Sequence, residues 1–248
     1  MFETAELMKR LAPLYEYPID LVLDTDCYNE VDDQFALAYA LRSPELNLQA
    51  VYAAPFLNNR SLSPQDGMEK SYEEILHVLQ LMGLEDEGLP VFKGADRFMA
   101  EPEDPVDSPA VQDLIARAMA RPKEDPLYVA AIGCPVNVAS ALLICPDLAH
   151  HIVVVWLGGT ARYWNQGVEF NLMQDLHASR VLLNCGVPLI RFPTLNVVSH
   201  LMVTVPELQH YLGDCGDIGA YLCDIVAKYA QEEERAGGAY SKVIWDVA

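Results

Sequence analysis

Apolar runs of strand length alternate with amphipathic stretches along most of the chain. Leu21–Leu23, Leu48–Ala53, Val91–Phe92, Tyr128–Ala131, Ile152–Leu157 and Leu189–Phe192 are apolar enough to be strands covered on both faces. Between them, Asp32–Leu41, Ser71–Met82, Ala110–Ala120, Val136–Ile144 and Ala178–Asn184 carry apolar residues at helical spacing. This rhythm predicts an α/β fold: an open, mostly parallel sheet flanked by helices, Rossmann-like in its winding. The acidic, proline-rich segment MAEPEDPVDSP (99–109) reads as a surface loop. No repeat, low-complexity tract or linker breaks the pattern, so residues 1–248 are expected to form a single domain.

In such a sheet, ligands bind beyond the carboxyl ends of the strands. Four segments at those ends carry oxygen or amide groups: Asp24-Thr25-Asp26, Pro55–Asn59, Gly133–Asn137 and Gly158–Asn171. The first is the most unusual. Asp24, Asp26, Asp32 and Asp33 place four carboxylates within ten residues at the end of an apolar strand. Like charges at that spacing repel, and burial raises the cost, so a positive group is expected among them. A hard cation such as Ca²⁺ takes oxygen ligands of this kind. Helix capping is the competing explanation for Asp32 and Asp33, but a cap needs only one or two acids.

Composition narrows the class. Hydrophobic residues make up 52% and charged residues 21%, enough for a substantial core. The formal net charge of -20 argues against nucleic acid and anionic membranes as partners. The N-terminal residues do not read as a signal peptide, and no apolar stretch reaches membrane-spanning length. Six cysteines are scattered without a CxxC pair, which fits reduced thiols and a cytoplasmic location.

DTDCYNEVDDQFALAYAL (24–41) resembles the N-terminal signature of the calcium-dependent, inosine-uridine preferring nucleoside hydrolases, in which Asp-x-Asp, a short loop and Asp-Asp hold the ion. The resemblance continues in order. LQAVYAAPFLNN is similar to the family's second strand and asparagine loop, AAIGCPVNVASAL to its Gly-Pro-Leu-Thr-Asn segment, VVVWLGGTARYWNQGVEFNLMQD to its Gly-Gly turn and Glu-Phe-Asn motif, and VIWDVA to its C-terminal His-Asp motif. It implies hydrolysis of the N-glycosidic bond of a ribonucleoside to free base and ribose, in nucleoside salvage, by a homodimer or homotetramer. It further implies Asp26 as general base and metal ligand, and Asp24, Asp33, the Val136 carbonyl and Asp246 as further Ca²⁺ ligands. Asn58 or Asn59, Asn165, Glu169 and Asn171 would hold the ribose, with Trp164 and Trp245 against the base. The inventory suits the chemistry. A glycosidic bond to a base breaks through an oxocarbenium-like state, which carboxylates and amide oxygens stabilise.

Three departures stand out. The loop CYNEV (27–31) is longer than the family's Pro-Gly-x and adds Asn29 and Glu30. Trp245 replaces a histidine thought to protonate the leaving base, and indole cannot supply that proton; His200 and His177 are the other acid candidates. The family normally continues past Asp246. Two rival readings follow. One is a metal-dependent ribose- or nucleoside-binding protein without turnover. The other is a haloacid-dehalogenase-like Mg²⁺ phosphatase, disfavoured because Cys27-Tyr28 stands where that motif needs Gly-Thr.

Overall fold

The computed structural model describes residues 2–235 and 241–248. After a short helix α1 (Thr4–Arg10), the chain builds a sheet from β1 (Ile19–Thr25), β2 (Leu46–Ala53), β3 (Val91–Lys93), β4 (Leu127–Ala131), β5 (Ile152–Leu157) and β6 (Leu189–Phe192). Their spatial order is β3-β2-β1-β4-β5-β6 and every neighbouring pair is parallel. The direction of winding therefore reverses between β1 and β4, where a doubly wound sheet opens a crevice beyond its strand ends.

Helices α2 (Asp33–Arg42), α3 (Pro64–Leu81), α4 (Pro109–Met119), α5 (Val136–Ile144), α6 (Phe170–Gln174) and α7 (Leu176–Asn184) fill the crossovers. Strand alternation sends side chains to two cores. Val22, Tyr52, Val129, Val154 and Trp156 pack with Val111 and Leu114 of α4, Val138 of α5 and Leu182 of α7. Leu23, Val51 and Ala53 pack on the opposite face with Leu37 of α2 and Ile75, Val78 and Leu79 of α3. The sheet is thus covered on both faces, as the unbroken apolar runs require. On the second face, an apolar groove of about 450 Å³ runs beside Leu11 and Leu14 and over Leu21, Tyr128, Val155 and Phe192.

All six expected strands form. The helices are less faithful to the pattern. α3 starts at Pro64, seven residues before the amphipathic stretch that announced it, because the Ser63 side chain accepts the Asp66 N–H and proline is favoured in the first turn. The C-terminal elements had no counterpart in the pattern: β7 (Met202–Thr204), α8 (Val205–Leu212), α9 (Gly216–Arg235) and β8 (Ser241–Val243). α8 is fixed by a capping box between Thr204 and Glu207. Leu222 and Val226 of α9 bury against Val31 and Phe35, clamping the start of α2. Antiparallel pairing of β7 with β8 then brings the last residues back to that same place.

Candidate active site

β1 ends in Asp24-Thr25-Asp26, all three fully buried beside β2 and β4. Asp24 Oδ1 accepts the Asn137 amide at 2.8 Å, while Asn137 Oδ1 accepts the Ala95 N–H. Asn137 therefore ties the first turn of α5 to the end of β1. Gly133 follows β4 directly above Asp26: a Cβ there would sit 2.9 Å from the Asp26 carboxyl, so only glycine leaves room. Thr25 donates its hydroxyl to Asp33 Oδ1 at 2.5 Å.

The loop from Cys27 to Val31 turns on an Asn29 N–H to Asp26 carbonyl bond of 2.8 Å. Tyr28 takes φ +96°, a conformation that favours glycine. Asp32 then occupies the N-cap position of α2, yet makes no capping hydrogen bond. Its Oδ2 instead accepts the Trp245 backbone N–H at 2.8 Å. Capping does not account for the Asp32-Asp33 pair, since both carboxyls face inward. Oxygens of Asp32, Asp33 and Asp246 all lie within 4.8 Å of one another.

Electrostatics shows what this convergence costs. Burial pushes the Asp24 carboxyl up to about 7. Burial and the neighbouring Asp32 raise Asp33 to about 7. Burial and Asp33 push Asp26 well above the usual carboxylate range, and burial with Asp32 and Asp33 does the same to Asp246. Asp24 Oδ2 and Asp26 Oδ2 are buried without a hydrogen-bond partner. A buried carboxylate oxygen without a partner calls for one, and at Asp26, which faces Asp33, Asp32 and Glu30, a cation answers both needs. The donor set, oxygen throughout, fits a hard cation.

A cavity of about 270 Å³ opens beside this cluster. Asn29, Glu30 and Asp32 line one side, Val168 to Asn171 another, and Thr194, Leu195, Trp245 and Asp246 a third, with Ile132 and Leu157 completing the wall. Glu169 caps α6: Oε1 accepts the Asn171 N–H, and Oε2 accepts those of Leu172 and Gly159. Gly159 makes the turn possible with φ +72°. Asn171 donates its amide to the Ile132 and Leu157 carbonyls at 2.9 and 3.0 Å, stitching the ends of β4 and β5 together. Asn58 is likewise engaged, donating to Asn29 Oδ1 at 2.6 Å.

The sequence profile of the inosine-uridine preferring nucleoside hydrolases matches residues 21–248. The chain belongs to that family. It is 26% identical over 236 residues to the pyrimidine-specific ribonucleoside hydrolase RihA of Escherichia coli O1:K1 / APEC, covering 84% of this chain and 72% of the relative. The purine-preferring ribonucleoside hydrolase of Gardnerella vaginalis superposes with a TM-score of 0.73 at 25% identity, over 92% of this chain and 77% of that one. A plant nucleoside hydrolase, PpNRh1, shares the fold with a TM-score of 0.73 at 22% identity, over 93% of this chain and 76% of its own. The chain is therefore a ribonucleoside hydrolase, an N-glycosidase, built on the doubly wound sheet described above.

In this nucleoside hydrolase the expected site residues divide into the acidic group, the cavity wall and residues outside that wall. Asp33 and Asp246 lie together with Asp32, and Asp26 faces Asp33, while Asp24 is buried at the end of β1 on Asn137 and Val136 is buried in the first turn of α5. Glu169, Asn171 and Trp245 line the cavity. Asn59, Trp164 and Asn165 instead lie on exposed loops, and the cavity wall does not include them. His200 is exposed, and His177 lies on α7 beside a separate surface groove; among the described residues no histidine lines the cavity.

Sequence reasoning passed over Thr25, Asn137 as a brace, Thr194 and Lys242. Lys242 is buried, with Nζ 2.5 Å from Glu30 Oε2 and 3.4 Å from Asp32 Oδ1. Burial alone would lower its ammonium, but the Asp32 and Glu30 carboxylates outweigh that and hold it above the usual lysine range. Its signal was available: a lone lysine three residues before Trp245 in a strongly acidic chain.

Proposed function

We propose that this ribonucleoside hydrolase works with a bound divalent cation, calcium by the character of its donors, and that Asp26 is the general base. The observation carrying this reading is the orphaned, fully buried Asp26 Oδ2 set against Asp33 and the mutually close carboxyls of Asp32, Asp33 and Asp246, with a second orphaned oxygen, Asp24 Oδ2, at the same strand end. Asp24, Asp26, Asp33, Asp246 and the Val136 carbonyl would hold the ion. When bound, it would orient a water, lower its pKa and engage ribose hydroxyls.

This chain's own residues do the rest. Asp26, its proton affinity raised by burial and by Asp33, takes a proton from the attacking water. Asn171 has its amide N–H groups committed to the Ile132 and Leu157 carbonyls, which leaves Oδ1 to accept from a ribose hydroxyl. Glu169, rigid at the head of α6, places negative charge beside the developing oxocarbenium ion. Asn29 and Asn58 brace the opposite rim. The indole of Trp245 supplies an apolar wall for the base. Asn59, Trp164 and Asn165 reach the substrate only if their exposed loops fold over it. Residues 1–248 serve as one domain, and the enzyme operates in the cytoplasm in nucleoside salvage as a homodimer or homotetramer.

The test is hydrolysis of inosine and uridine by protein stripped with chelator and reloaded with calcium. Activity lost on stripping and restored by calcium supports the reading. Full activity in the stripped protein, with no cation bound by elemental analysis, sinks it.

A further inference from the structure

We propose that Lys242 is a built-in counter-ion of the acidic cluster: a positioning residue that holds Glu30, Asp32 and the Trp245–Asp246 turn together before any cation arrives, and that limits how tightly the cation is then held. The second half of this statement rests on the cation reading above; the first half does not.

The geometry carries it. The ammonium bridges Glu30, at 2.5 Å, and Asp32, at 3.4 Å, and donates to the Val243 carbonyl at 2.8 Å. It lies 5.4 Å from the Tyr229 ring centre and 6.0 Å from that of Trp245. Only 4% of Lys242 is exposed, and the cavity wall does not include it. Lys242 therefore touches no substrate and acts through its partners. Glu30 and Asp32 are both cavity-lining acids, and Asp32 also receives the Trp245 N–H on its other oxygen. One side chain thus determines the charge of one wall and the anchorage of another. A buried ammonium persists only where acids compensate it, and buried acids persist only where a cation compensates them. The register Val203↔Lys242 in the β7–β8 pair fixes where the ammonium arrives. Among the described residues, Arg60 and Lys228 are also near Glu30, but the Arg60 guanidinium is spent on the Tyr28 and Glu30 carbonyls and Lys228 pairs with Asp224.

Two consequences separate a counter-ion from a packing residue. Removing the ammonium should destabilise the cation-free protein while raising its affinity for a divalent cation, because a fixed positive charge no longer opposes the ion. Removing Asp32's charge as well should then recover stability, because the repulsion exposed by the first change is relieved.

The experiment uses K242M, K242R, D32N and the K242M/D32N double variant. Thermal melting is followed in chelator, and Ca²⁺ binding by isothermal titration calorimetry. We expect K242M to melt lower than wild type in chelator, to bind Ca²⁺ roughly tenfold more tightly, and to gain more from saturating Ca²⁺ than wild type does. K242R should behave as wild type. D32N alone should lower the melting temperature, yet raise it in the K242M background. Equal losses with and without Ca²⁺, or additive effects in the double variant, would show a packing residue and overturn the proposal. So would weaker Ca²⁺ binding by K242M, or a K242M that stays unfolded even in saturating Ca²⁺. If wild type binds no Ca²⁺ at all, the cation reading fails while the double-variant comparison still decides the role of Lys242.

Discussion

The backbone N–H of Trp245 donates to Asp32 Oδ2 at 2.8 Å, joining positions 213 residues apart. That bond sets Asp246 next to Asp33 and turns Trp245 into a wall of the cavity. It also explains why a carboxylate at the N-cap position of α2 does no capping.

Asp32→Ala should therefore be severe. It strands the Trp245 N–H and takes from Lys242 one of the two carboxylates it bridges, leaving Glu30. Losing one partner of a buried charged network costs about 3 kcal/mol or more. Urea unfolding in chelator should show the loss, and Asp32→Asn, which keeps an acceptor, should lose less. Equal stability of wild type and Asp32→Ala would mean the C-terminal turn is held by something else.

Stability of the metal-free enzyme should fall with rising pH. The folded-state carboxyls of Asp24 and Asp33 are raised from 3.8 to about 7, chiefly by burial. An acid whose folded pKa is raised binds more protons folded than unfolded, so stability is lost as pH climbs from the unfolded value through about 7. Melting temperatures in chelator should drop between about pH 5 and about pH 8. Added calcium should flatten that slope, and a slope of the opposite sign would contradict the electrostatics of the cluster.

Asp26→Asn should separate catalysis from folding. Replacing a buried, mutually repelled carboxyl removes a cost of the cation-free fold, so the variant should melt no lower than wild type in chelator. Turnover should fall by a factor of about 10²–10⁴, the usual contribution of a positioned base. Substantial residual kcat at saturating calcium would assign the base elsewhere.

Asn171→Ala should affect both stability and substrate binding. Two buried carbonyls, of Ile132 and Leu157, lose their donor, at a cost of about 1–3 kcal/mol each. A chemical denaturation midpoint close to wild type would show that water replaces the amide.

Leaving-group chemistry gives the last test. Among the described residues no histidine lines the cavity, and Trp245 stands where the family resemblance implied an acid. A missing general acid costs about 10²–10⁴ on unactivated substrates. The ratio of kcat/KM for a nitrophenyl riboside to that for inosine or uridine should be correspondingly large. A ratio near unity would point to an acid outside the present wall, and the relatives, one pyrimidine-specific and one purine-preferring, give no base preference to fall back on.

Periodicity alone determined the six strands, the two-sided burial and the parallel winding, because each rests on residues adjacent in sequence. The Asp24–Asp33 cluster was legible for the same reason: ten consecutive residues had to be crowded however the chain folded. The N-terminal extension of α3 was written in Ser63-Pro64, a capping signal that an apolar-period reading skips. What needed the tertiary structure were partnerships between distant segments. Asp32 and Asp33 look alike in sequence, yet Trp245 claims one and Thr25 the other. Asn171 and Glu169 read as substrate contacts, and the fold also spends them on strand ends and a glycine turn. Which acids Lys242 meets is decided only when β8 pairs with β7 and carries it to Glu30 and Asp32. Local sequence sets which charges are crowded; only the folded chain sets which of them are answered, because the partners come from anywhere in the sequence, from Thr25 beside Asp33 to Asn137 on Asp24 and Trp245 on Asp32.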